Sequence, residues 1–148
     1  MLIFRRETQA CARWGVRLDQ PGQPDPPVVW QGRSADEWTD WAPYFDRFSL
    51  ACLEIVLSES LFAGPGLDGN RALDAAALTT LEQTFARLAI TEYPRWPAGQ
   101  PIRWFAGPDV ILREDAATWV WVRARKPAAL VPVRETLPGH WNHADEAG

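Results

Sequence analysis

A chain of 148 residues with a formal net charge of −4 can bury its own core without disulfide staples, and its 47% hydrophobic and 23% charged residues match ordinary globular usage. The acidic balance sets the field of the whole molecule against phosphate backbones, which argues against nucleic acid as a ligand and for a basic partner. Glu54 interrupts the longest apolar run, SLACLEIVL, so no segment reaches the roughly 18 residues of a membrane span.

Residues 2–7 and 11–18 have β composition, and in the second Ala12, Trp14, Val16 and Leu18 alternate with charged or small residues, the period-two pattern of a half-buried strand. DQPGQPDPP is an exposed loop that ends at Pro27, and a short strand follows at 28–31. From Pro43 to Phe62 the pattern becomes helical. Phe45, Phe48, Cys52, Ile55, Val56 and Phe62 form one stripe and Leu50, Leu53, Leu57 and Leu61 another, while Arg47, Glu54 and Ser58 align as a narrow solvated strip. Pro43 suits the first helical position and Asp46 an N-cap.

AGPGLDGNR reads as a loop, after which Asp74 can cap a second helix carrying Leu78, Leu81, Phe85 and Leu88. IRWFA, VILRE and TWVWVRA then form a three-stranded antiparallel meander, with turns at Gly107-Pro108-Asp109 and Glu114-Asp115-Ala116. Residues 127–136 suit a short last helix despite Pro132, and 138–148 form a loose tail. The expected fold is therefore α+β: one domain over 1–148, a largely antiparallel sheet with two main helices and a short C-terminal helix packed on it.

Few motifs in the chain carry chemistry. Gly64, Gly66 and Gly69 match G-x-G-x-x-G, but the motif leaves a helix rather than a strand and Pro65 removes an amide donor, so a dinucleotide site is not expected. His140 and His143 are the two histidines of the chain; without a third donor they make no metal centre, and no metal or cofactor is expected. No G-x-S-x-G elbow is present, and the acidic pairs in loops read as solvated, so an enzyme is not the leading expectation. Cys11 and Cys52, behind an amino terminus without a secretory apolar stretch, read as small buried hydrophobes of a cytoplasmic protein.

The nine tryptophans carry the functional signal. Asp36, Glu37, Trp38, Asp40 and Trp41 cluster in SADEWTDW, where indoles rimmed by carboxylates would suit a basic protein partner. Trp119 and Trp121 share a strand face with Arg123, opposite Val120 and Val122; if the valines face the core, the indoles and arginine make a second candidate surface. Tryptophan and arginine are enriched at interface hot spots.

The segments PDPPVVWQG, EWTDWAP, DRFSLACLEIVLSESLF, YPRWP, RWFAGPDVILRED, TWVWVRARKPAAL and GHW together resemble the SUKH superfamily of bacterial immunity proteins, which includes the yeast cell-wall synthesis regulator. The chain departs from that family's pattern in opening with a strand where helices are usual. The resemblance implies a non-enzymatic α+β domain that neutralises a toxin, commonly a nuclease or deaminase, by direct binding. A small-molecule binder or unrecognised enzyme with an aromatic pocket between sheet and helix is the alternative, and an intracellular scaffold or regulator a third reading.

Overall fold

Alternation in ARWGV puts Ala12, Trp14 and Val16 on one side of a strand, and all three are buried in the structure, a computed structural model described for residues 1–19, 22–34, 37–63, 67–94 and 101–142. The fold is α+β, its strands divided between two antiparallel sheets. The chain falls into two compact units, residues 1–56 and the described residues from 57 onward, each of which holds one sheet.

In the first unit β1 (Leu2–Arg6), β2 (Ala12–Val16) and β3 (Val28–Ser34) run in order, and β4 (Glu37–Trp38) and β5 (Ala42–Phe45) both pair with β3. Trp14 lies opposite Trp30 and Val16 opposite Val28, so these residues share one side of β2 and β3, on which Trp30 is half-buried. The β1–β2 turn places Ala10 at φ 56°, a left-handed conformation that alanine adopts only at a cost.

The long helix α1 (Phe48–Leu61) starts later than Pro43, because residues 42–45 extend against β3. Pro43, opposite Val29, is accommodated at a strand edge. Asp25, not Asp46, serves the helix start: its carboxylate accepts hydrogen bonds from the Ser49 N–H at 2.8 Å and the Ser49 hydroxyl at 2.6 Å. The expected solvated strip is also corrected. Ala51, Glu54, Ser58 and Leu61 are the buried residues of α1, whereas Leu53 is 44% and Val56 62% exposed. Glu54 tolerates burial because Arg5 Nη1 lies 2.8 Å from its carboxylate. The cysteines likewise differ from expectation, Cys11 being half-buried and Cys52 exposed.

In the second unit the sheet order is β6 (Asp68–Ala72), β11 (Trp119–Ala124), β10 (Val110–Asp115), β9 (Pro101–Gly107) and β7 (Ala86–Arg87), with β8 (Tyr93–Pro94) also pairing β9. The meander appears as expected, whereas β6 replaces part of the expected loop. DGNRA has little strand propensity of its own, and it is held extended by pairing with β11. Ala116 and Ala117 turn the chain between β10 and β11 at φ 60° and 56°.

The valine side of this sheet is the core side. Phe105, Leu112, Val120 and Val122 meet Leu81 and Phe85, and also Leu130, Val133 and Leu137. Leu81 belongs to α2 (Ala75–Thr84), capped by Asp74 through the Ala77 N–H at 2.8 Å; Leu130 and Val133 belong to α3 (Leu130–Thr136), which follows a 3-10 turn at Pro127–Ala129. Arg71 closes the carboxyl end of the core. Its Nη1 donates to the carbonyls of Leu137, at 2.9 Å, and Pro138. Gly139, at φ 140°, is required there, since a Cβ would lie 3.0 Å from the Arg71 guanidinium. Of the tail 138–148, residues up to Asn142 are described: Trp141 is buried, and its indole donates to the Leu137 carbonyl at 3.0 Å.

Candidate functional site

Period two in β2 sends Arg13 to the side opposite Trp14, where its register partners are Arg6 on β1 and Gln31 on β3. The β3–β4 hairpin, with Arg33 opposite Trp38 and Ser34 opposite Glu37, folds the tryptophan segment back toward that side. Thr39 fixes the return: its N–H donates to the Gly32 carbonyl at 2.9 Å, and the Gly32 N–H donates to its hydroxyl at 3.1 Å.

The Arg13 guanidinium then lies 4.1 Å from the centre of the Trp38 ring and 5.3 Å from that of Trp41. Its Nε donates to Gln31 Oε1 at 2.7 Å, and the buried Gln31 amide donates onward to the Thr39 carbonyl at 2.5 Å. Two indoles and a buried amide thus hold one cation in a single orientation. Trp38 remains 36% exposed, Trp41 is half-buried, and Glu37 and Asp40 are exposed beside them. Asp36 lies outside the described residues. The structure therefore brings Trp38 and Trp41 together as the sequence expects, but puts an arginine against both rings, so this surface carries charges of both signs. A cavity of 240 Å³ opens there, lined by Arg6, Ala10, Ala12, Arg13 and Trp38.

Glu7, next to Arg6 in sequence, is engaged elsewhere. Its carboxylate accepts from the Thr8 hydroxyl at 2.9 Å, the Gln9 N–H at 2.7 Å and the Cys11 thiol at 3.0 Å. The thiol's hydrogen bond holds Glu7 below the usual carboxylate range and, conversely, pushes the Cys11 pKa up.

Trp119 and Trp121 lie half-buried on the sheet side away from the valines. Their ring centres are 6.5 Å apart, and Trp121 meets Phe62 edge-on at 5.4 Å. Arg123 shares the face as expected, but its guanidinium contacts Asp68, at 3.8 Å, and the Ala63 carbonyl. Arg113, the neighbour of Trp121 on β10, is directed to Asp115 at 2.7 Å. The arginines of this face are thus turned to carboxylates and a carbonyl, and Phe62 covers part of Trp121.

Nearby, Ser60, Ile111, Asp109, Arg123 and Arg125 line an open cavity of 580 Å³, and among the described residues no aromatic side chain is in its wall. Lys126, 2.8 Å from the Asp109 carboxylate, holds that group below its ordinary pKa. Among the described residues no three histidines, cysteines or acids gather as metal donors; His140 is exposed, and His143 lies outside the described residues. Gly69 of the glycine motif sits in β6, 3.3 Å from Trp141 at its would-be Cβ, and Gly64 and Gly66 are outside the described residues. Among the described residues no helix is long and apolar enough to cross a membrane.

Arg13 and Gln31 are residues of the candidate site that the sequence pattern did not single out. The parity of β2 already separates Arg13 from Trp14; what sequence lacked was the hairpin register that returns Trp38 to Arg13. Comparisons with family models, curated proteins and solved structures give no match.

Proposed function

We propose that the chain is a non-enzymatic protein-binding domain whose contact surface is the Arg13, Trp38 and Trp41 stack. The stack itself carries this reading: a half-exposed indole and a guanidinium held rigid in advance lose little conformational freedom on association, and these residue types dominate interface hot spots. Trp119 and Trp121 form a secondary candidate, since their face is partly covered by Phe62.

The finer reading follows the SUKH resemblance: a cytoplasmic immunity protein that neutralises a nuclease or deaminase toxin by occluding it. The net charge of −4 would speed encounter with a basic toxin, while the stack would fix the docked pose. A tagged pull-down from the native cell, with the captured protein then expressed alone and together with this chain, tests it. Growth arrest that co-expression relieves is the expected result; a captured protein without toxicity contradicts the immunity reading.

A second reading rests on the cavity beside Ser60, Arg123 and Arg125, whose polar walls suit a small anionic ligand. A rise in melting temperature with small carboxylates or phosphates, abolished by Arg125→Ala, would support a small-molecule binder.

A further inference from the structure

The Trp38 surface has a feature that its protein-binding role alone does not require. Arg6 and Arg13 stand directly opposite each other on β1 and β2. Like charges in that position destabilise a strand pair unless an anion lies between them. Arg13 has one guanidinium nitrogen, Nε, bound to Gln31, and its guanidinium carbon lies over both indole rings; Nη1 and Nη2 have no acceptor among the described residues. Arg6 is exposed and its side chain likewise has no acceptor among the described residues. Between them lies the 240 Å³ cavity with Trp38 as one wall and Ala10 and Ala12 as small lining residues.

From this we infer that the notch between Arg6, Arg13 and Trp38 is an anchor for a carboxylate side chain, glutamate or aspartate, of the protein partner. The inference rests on the protein-binding reading of the same surface and adds the chemistry of its central contact. A guanidinium with two free N–H groups in its plane matches a carboxylate in two parallel hydrogen bonds. The indole wall excludes water from one side of that pair, which strengthens it. The exposed Ala10 and the Trp38 ring border the notch and can cover the methylene groups of the incoming side chain. A basic side chain is disfavoured here, because the notch is lined by two guanidinium groups, Arg6 and Arg13. A polyanion is disfavoured by Glu37 and Asp40 beside the notch and by the net charge of −4.

The test is a titration of ¹⁵N-labelled protein with the capped peptide acetyl-Ala-Glu-Ala-amide, which carries one carboxylate, following the Trp38 indole N–H and Arg13 Nε–H signals. Acetyl-Ala-Lys-Ala-amide and inorganic phosphate serve as comparison probes. Saturable shifts with the glutamate peptide are expected, roughly tenfold weaker binding in Arg6→Ala, and loss in Arg13→Gln. Arg6→Ala keeps the test sound if Arg13→Gln loosens the indoles. No shift, equal binding by both variants, or phosphate acting at the same concentration as the peptide overturns the carboxylate anchor. The two readings fail separately: a natural partner lost by Trp38→Ala but kept by Arg6→Ala overturns the anchor and leaves the binding surface standing, whereas peptide binding beside a partner indifferent to Trp38→Ala does the reverse.

Discussion

Arg13 and Trp38 are stacked at 4.1 Å although twenty-four residues and a hairpin separate them, and the contact joins the ladder of one sheet to its most exposed indole. The energy of such a contact depends on how much water it excludes, and Trp38 is 36% exposed. A double-mutant cycle of Arg13→Ala and Trp38→Ala should give a coupling of about 0.5–1 kcal/mol, the range for exposed cation–π pairs. Urea unfolding of the four proteins measures it. A coupling near zero would mean that the rings and the guanidinium are neighbours without mutual orientation.

Glu114 is fully buried, and its carboxylate accepts from Arg103 Nε at 2.6 Å and from the Ala117 N–H. Arg103 also reaches Glu82 at 2.5 Å. Burial works against the Arg103 charge, but the hydrogen bonds to Glu114 and Glu82 outweigh it and raise its pKa above the ordinary value. Glu114→Ala leaves the guanidinium and the left-handed Ala116-Ala117 turn without their shared acceptor. A loss of about 3–5 kcal/mol is expected by chemical denaturation, with Glu114→Gln losing less.

Trp141 closes the second core after α3, and β6 offers Gly69 as its floor. Trp141→Ala should cost about 3–5 kcal/mol, as for other buried tryptophans. Amide hydrogen exchange should show faster opening of β6, since Asn70 and Asn142 exchange backbone hydrogen bonds at 3.0 and 2.9 Å. An unchanged β6 would show that the strand is held by β11 alone.

Asp25 gives the fold an acid-side dependence. The Ser49 hydroxyl and N–H, in that order, hold its carboxyl below the ordinary value in the folded chain. The unfolded chain therefore binds the proton more tightly, so this stabilisation is complete above the unfolded pKa of about 3.9 and disappears as pH falls through the folded value. Melting temperatures recorded from neutral pH downward should decline less steeply over that window in Asp25→Asn than in the wild type. Parallel profiles would remove Asp25 from the acid response.

The parts of the fold carried by local pattern were legible in the sequence. Alternation gave β2 and the meander, the Asp74 cap and three- and four-residue spacing gave α2, and the side on which Val120 and Val122 lie is the core side. What depended on long-range pairing was not legible: β5 displaced the first turns of the expected helix because β3 offered an edge, β6 formed from DGNRA because β11 did, and Asp25 reached α1 from another loop. The buried face of α1 was inverted for the same reason. Glu54 turns inward because Arg5 awaits it, and Leu53 and Val56 turn outward. At the candidate site the sequence supplied the indoles, while the cation between them required the register of β2, β3 and β4.

The central claim is that the chain binds a protein through the Arg13, Trp38 and Trp41 stack. The most direct measurement compares proteins captured from native lysate by the tagged wild type and by a Trp38→Ala/Trp41→Ala variant, at low and high salt, with melting temperatures of both. One partner should be retained by the wild type, weakened by salt, and lost by a variant whose melting temperature stays within a few degrees. The same partner retained by both proteins, or a variant that no longer melts cooperatively, would contradict the claim.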